Sequence, residues 1–246
     1  MRDELAISTH HISKKYGEKH ALVDMSLTIR EGEIFGLLGH NGAGKTTAVS
    51  VLTTLTKPTS GVAFINGFDA ISQPKEVRGS IGYLPESVQF YEYLTAFENL
   101  DYLARLSGLR NPRERILEVL TLLDFDEHLN ERVSTFSKGM KQRVGIAQAI
   151  LHAPKVLFLD EPTSGLDPEG VIQLRELIRM LNRDLGMTIF MNTHLLSEVT
   201  KLCSHIGILK NGILIYDSSM KETLDSFEKT DSLEDIYFKI DASINL

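Results

Sequence analysis

Between positions 39 and 46 the chain reads Gly39-His40-Asn41-Gly42-Ala43-Gly44-Lys45-Thr46, and this stretch restricts the possible folds more than any other. The glycines let the backbone turn successive N–H groups toward phosphate oxygens, and the positive end of a following helix adds to the attraction. Such a loop needs a strand before it and a helix after it. Ile34 to Leu38 is a short apolar run of strand character, and after the loop Ala48, Val51, Leu52 and Leu55 recur at helical spacing until Lys57-Pro58 ends the pattern. Lys45 is expected to reach the β and γ phosphates. Thr46 offers a hydroxyl to magnesium, a hard cation that prefers oxygen ligands.

A second constellation matches the first. Lys155 to Glu161 is an apolar strand ending in two adjacent carboxylates, Asp160 and Glu161. Ligands of parallel sheets sit at the carboxyl ends of the strands, so both acids are expected to face the phosphate loop. Asp160 would hold the metal through water, and Glu161 would polarise the attacking water as a general base.

The rest of the chain supplies the frame. Leu22 to Ile29 reads as another strand, separated from Ile34 by Glu31-Gly32, and Val62 to Ile65 before Asn66-Gly67 as a third; together these suggest a small antiparallel sheet. From about Thr95 to Leu123 the pattern is helical and charged, with glycine and proline confined to Gly108 and Pro112, which marks a helical insertion. Alternation then resumes with the strand Val156 to Leu159, a helix from about Pro168 to Asn182 and the strand Thr188 to Asn192, which argues for a parallel sheet. Ile208 to Tyr216 around Asn211-Gly212 is a hairpin, and a short helical tail is expected from about Ser218.

Composition narrows the partners. At 246 residues and 42% hydrophobic the chain can bury one large core. A formal net charge of -7 disfavours a general phosphate-backbone binder, so nucleic acid is not an expected partner. The one cysteine, Cys203, lies between Leu202 and Ile206, suits a small buried side chain and fits a reducing, cytosolic setting. The N-terminal residues show no secretory apolar region, and no apolar run approaches the roughly 18 residues that cross a bilayer.

On Ser134-Thr135-Phe136-Ser137-Lys138-Gly139-Met140-Lys141-Gln142-Arg143 the sequence resembles the nucleotide-binding subunit of the ATP-binding cassette (ABC) family, whose signature is LSGGQ followed by a basic helix. Phe136, Lys138 and Met140 depart from its leucine, glycine and glutamine. Ser137 is placed to cap a helix through Met140, Val144, Ala147 and Leu151, leaving N–H groups at a positive helix end. Further matches follow in family order over residues 1 to about 217. Tyr16 matches the aromatic that stacks on adenine, Ser164-Gly165-Leu166-Asp167 the loop that communicates between paired sites, and His194 the switch histidine that contacts the γ-phosphate.

The resemblance implies an α/β fold, a P-loop NTPase core with a mainly parallel sheet, a small antiparallel β subdomain and a helical signature subdomain. Residues 1–217 would form the nucleotide-binding domain, with the helical subdomain at about 87–152, and 218–246 the tail. It implies an ATPase with ATP and magnesium bound by Tyr16, residues Gly39 through Thr47 (Thr47 beside the quoted loop), Ser137 and Gly139, with Lys45, Glu161 and His194 catalytic and Thr46, Asp160 and Glu86 at the metal. Two such domains, identical or paralogous, would close head to tail on ATP and drive a separate transmembrane permease from the cytoplasmic face.

Where the family usually has glutamine at the loop that senses magnesium, this chain has Gly82-Tyr83-Leu84-Pro85-Glu86, and Gln89 is an alternative source of the amide. Glu86, the run Gly139 to Arg143 and the tail Ser232 to Phe238 resemble export-type members, the tail's apolar residues equally suiting a docking helix. A non-transport ABC ATPase is the rival expectation.

Overall fold

The computed structural model describes residues 4–226, 235 and 237–240. Two sheets share the fold. The first is antiparallel, in the order β2-β1-β4-β5, from β1 (Leu5–Tyr16), β2 (Lys19–Arg30), β4 (Ser60–Ile65) and β5 (Phe68–Asp69). The second has the order β10-β9-β3-β8-β7-β6, with β3 (Ile34–Leu38), β6 (Ile81–Leu84), β7 (Val156–Asp160), β8 (Thr188–Thr193), β9 (His205–Lys210) and β10 (Ile213–Ser219). All its pairings are parallel except the β9–β10 hairpin.

The helices are α1 (Lys45–Leu52), α2 (Pro74–Ser80), α3 (Ala96–Leu106), α4 (Arg113–Leu122), α5 (Lys138–Ile150), α6 (Pro168–Leu185), α7 (Leu196–Leu202) and α8 (Met220–Ser226). Their starts are written locally. Thr95 and Glu98 form a reciprocal capping box at α3, Ser137 accepts from Met140 N–H at α5, and Asp167 accepts from Gly170 N–H just before Pro168 at α6.

The central strands β3, β7 and β8 are buried along their whole length, which is why they read as continuous apolar runs and not as alternation. Their side chains divide between two cores. Phe35, Phe158 and Phe190 point to the antiparallel sheet and α1, with Phe190 lying 5.2 Å from Phe35 and 5.3 Å from Phe158 between ring centres. Leu157, Leu159 and Met191 point the other way, into the core built with α3 to α7. Cys203 is buried, and burial pushes its thiol far above the usual range.

Several elements differ from the sequence-based expectation. Ile34–Leu38 belongs to the parallel sheet, between β8 and β9, and not to the antiparallel one. Strand β1, not anticipated as such, takes that place; register shifts and the left-handed His11 (φ 53°) break its alternation. The α1 helix ends at Leu52, because Thr54 turns left-handed at φ 63°, and Leu55 is left exposed. The helical insertion expected over about 95–123 is present, as two helices, α3 and α4, parted around Gly108 and Asn111, both at positive φ. The strand before the expected tail runs on to Ser219, and of the segment 232–238 all but 235, 237 and 238 lie outside the described residues.

Candidate active site

Strands β3, β8 and β7 lie side by side and end together, and each delivers part of one cleft. From β3 the chain enters the loop of residues 39–44 and then α1. Gly44 sits at φ 111°, and a Cβ there would lie 2.4 Å from the Ala21 carbonyl, so only glycine fits this joint. The loop is braced from behind, where Gly212 N–H in the β9–β10 turn donates to Ala43 O at 2.8 Å. No side chain caps α1. Its first N–H groups are therefore available to an anion.

Lys45 is nearly enclosed. Its ammonium donates to Gly39 O at 2.7 Å and to His40 O at 3.4 Å, and lies 3.7 Å from Glu161 Oε1. The other carboxylate oxygen of Glu161 is 2.9 Å from His194 Nδ1, just beyond β8. One carboxylate thus holds both groups expected at the γ-phosphate. Glu161 itself is at φ 46°, a left-handed conformation that costs a non-glycine residue roughly 1–3 kcal/mol. Its N–H is fixed by donation to Asn192 O (3.1 Å) and Asn192 Oδ1 (3.0 Å).

Asp160, at the end of β7, lies behind this pair and is 4% exposed. Burial pushes its carboxyl above the usual range, and the nearby carboxylates of Glu86 and Glu161 add to this, opposed by the Asn192 and Tyr83 side chains. The Tyr83 hydroxyl is 3.5 Å from Asp160 Oδ2, and burial beside that acid lifts its pKa to about 12. Asp160 Oδ1 is buried with no hydrogen-bond partner. Among the described residues no three His, Cys, Asp or Glu side chains are grouped to hold a metal alone.

The cleft is about 710 Å³ and is lined by Tyr16, Asn41, Gly42, Gly44, Lys45, Thr46, Thr47, Glu86, Glu161 and His194 among the residues picked out from sequence. Gly39, His40 and Ala43 shape the loop without lining the cleft. Ser164, from the loop already picked out in sequence, lines it too, as do Lys19 and Ala21, and Asn192 and Tyr83 support it; no role was expected for these last four, since only the folded chain brings them near. Tyr16 stands half exposed at the rim, with the Lys14 ammonium 5.0 Å from its ring centre. Gln89 lines a different groove, whereas Glu86 lines both.

Ser137 and Gly139 are not in the nucleotide cleft. They line a separate groove of about 360 Å³ together with Gly165, Leu166 and Asp167. Phe136 explains its own departure from leucine: it is buried edge-on against Phe125, 5.5 Å between centres, as an apolar anchor. The loop 164–167 bridges the two places, with Ser164 in the nucleotide cleft and its next three residues in the groove.

Comparison with known proteins agrees with this geometry. Residues 22–164 match the family model described as ABC transporter. The bacitracin transport ATP-binding protein BcrA of Bacillus licheniformis is 42% identical over 209 residues, covering 85% of this chain and 68% of BcrA. A solved structure of an ATP-binding subunit of an ABC transporter superposes with a TM-score of 0.84 at 30% identity, covering 96% of this chain and 99% of that one. The dimeric structure of a bacterial ABC transporter cassette superposes at 0.77 and 27% identity, covering 87% of this chain and 98% of that one.

Proposed function

Because the chain belongs to the ABC transporter family and is an ATP-binding, ATP-hydrolysing subunit of that family, we propose that two such domains close head to tail on ATP and drive a separate membrane permease. The observation that carries this reading is Gly139. A Cβ there would meet nothing nearer than Ser137 Oγ at 3.9 Å and Leu166 Cδ2 at 4.0 Å, so the fold of a single chain has no need of a glycine. A glycine free of internal demands at an exposed helix start suits close approach by a group from outside the chain. The dimeric cassette structure similar to this chain supports a second copy as its source.

In this mechanism the phosphates of ATP enter the loop 39–46 and displace Glu161 from Lys45 and His194. Lys45 then binds the β and γ phosphates, the free N–H groups of α1 face their oxygens, and Tyr16 stacks on the base. Glu161, released, takes the proton of the attacking water, with His194 on the γ-phosphate. Ser137 and Gly139 of the second copy close the site. The residues fit magnesium: Asp160 Oδ1 is an unpartnered buried acceptor among crowded carboxylates, which a cation would relieve. Thr46 and Asp160 would hold it with Glu86 alongside, and when bound it neutralises phosphate charge.

Residues 1–217 serve as the nucleotide-binding domain, and α3 to α5 carry its signature part within about 87–152. No helix among the described residues is long and apolar enough to cross a membrane, in keeping with a peripheral subunit that meets its permease at the cytoplasmic face. Export is the favoured direction, on Glu86 and the run Gly139 to Arg143. Glu161→Gln tests the chemistry: phosphate release falls roughly 10²- to 10⁴-fold, ATP still binds, and an ATP-bound dimer accumulates on sizing with light scattering. Turnover near that of the unaltered chain would move the base elsewhere.

A further inference from the structure

Arg175 of α6 and Glu198 of α7 form an ion pair enclosed almost as fully as Lys45 with Glu161, their side chains being 12% and 5% exposed. The contact is two-pronged: Arg175 Nη2 donates to Glu198 Oε1 at 2.8 Å and Nε to Oε2 at 3.2 Å. One turn further along α6, on the same face, Arg179 Nη2 donates to the Lys201 carbonyl at 2.8 Å, at the last turn of α7.

Helix α7 depends on such ties. It has seven residues and no side-chain cap, and it begins two residues after His194. Its apolar side rests on β3 at Gly36, where a Cβ would come within 2.8 Å of Cys203 Sγ and 3.2 Å of Val199. Apolar contact sets the distance between helix and sheet but resists sliding along the axis poorly, because it has no preferred direction. A planar guanidinium gripping a carboxylate at two points fixes the register. Stability alone does not call for a buried pair here, since apolar side chains of the same size hold helices together as well or better. The other end of α6 is capped by Asp167, the last residue of the loop that lines both the nucleotide cleft and the Ser137 groove.

We infer that Arg175 and Glu198 are positioning residues: they hold α7, and through it the His194 imidazole, in register with α6 and the 164–167 loop. This rests on the reading of His194 as a contact of the γ-phosphate. A shift of α6 when a second copy engages the loop is thereby passed to the histidine, without either charged side chain touching nucleotide.

The test is a double-mutant cycle on ATP turnover. In the otherwise unaltered chain, Arg175→Met lowers turnover at saturating ATP roughly 10- to 100-fold while the KM for ATP stays within about threefold. In a His194→Ala background the same substitution costs less than about threefold, because its route of action is already gone. Since Arg175→Met leaves a buried carboxylate unpaired, the cycle is repeated with Arg175→Met/Glu198→Met, which removes both charges, folds, and lowers turnover to the same extent. Equal losses in both backgrounds, or full turnover in the doubly substituted chain, overturn the inference alone. Full turnover of His194→Ala by itself overturns the reading of His194 and the inference with it.

Discussion

The phosphate loop and the Ser137 segment both place a glycine and a hydroxyl at a helix start, but the protein treats them in opposite ways. In the loop, Gly44 is demanded by the chain itself: its φ is 111° and a Cβ would strike the Ala21 carbonyl. Lys45 beside it is 6% exposed and held by two carbonyls and Glu161. In the signature, Gly139 has room for a side chain and Ser137 and Lys138 are exposed. The capping is reversed as well. Helix α1 has no side-chain cap, while α5 is capped by Ser137, whose hydroxyl accepts from Met140 N–H at 3.2 Å. One helix start is shaped in advance and waits for an anion from solution. The other is complete by itself, and in the proposed mechanism it contributes only when brought to an anion held elsewhere.

This contrast predicts a ranking of effects on ATP binding by the single chain. Lys45→Ala removes the enclosed cation and leaves the β and γ charges uncompensated, so ATP affinity measured by calorimetry falls by about two orders of magnitude or more. Unchanged affinity would mean that the enclosed ammonium does not bind the phosphates. Tyr16→Ala costs less, roughly 2- to 10-fold, since stacking contributes about 0.5–1.5 kcal/mol, and Tyr16→Phe costs nothing because the ring does the stacking. Equal loss in both variants would mean the hydroxyl matters. Ser137→Ala leaves single-chain ATP affinity unchanged, lowers phosphate release by the assembled pair, and reduces thermal stability by about 1 kcal/mol through the lost cap. A drop in single-chain affinity would place Ser137 inside its own nucleotide cleft.

How much of this could be read from the sequence follows the same division. The phosphate loop, the two acids at the end of β7 and the helix starts at Ser137 and Asp167 are local patterns, in which neighbouring residues carry the whole signal. What was not legible depends on distant parts of the chain meeting. Asn192 was visible only as a strand end, yet it holds the strained Glu161 backbone by two acceptors. Tyr83 belongs to the segment Gly82 to Glu86 and reaches Asp160 only because β6 pairs with β7. Strand β1 was hidden because bulges interrupt its alternation. The choice between Glu86 and Gln89 was open in sequence; the fold puts Glu86 on the nucleotide cleft and Gln89 on the neighbouring groove. The detail that Glu161 ties up both Lys45 and His194 is beyond any motif, because it joins residues from β3–α1, β7 and β8.

In the proposed mechanism a working site takes its loop from one chain and its signature from another, so two chains that are inactive apart should restore activity when mixed. Gly139→Asp fits the fold, because the space at Gly139 is open, yet it sets a negative charge where the γ-phosphate of the second copy would arrive. Alone, Gly139→Asp and Lys45→Ala chains should each release almost no phosphate. An equal mixture should recover roughly one quarter of the unaltered rate, because half of the randomly paired dimers are mixed and each contains one site with both halves intact. A mixture no more active than its separate components, or a Gly139→Asp chain that hydrolyses ATP at the unaltered rate by itself, would contradict the account.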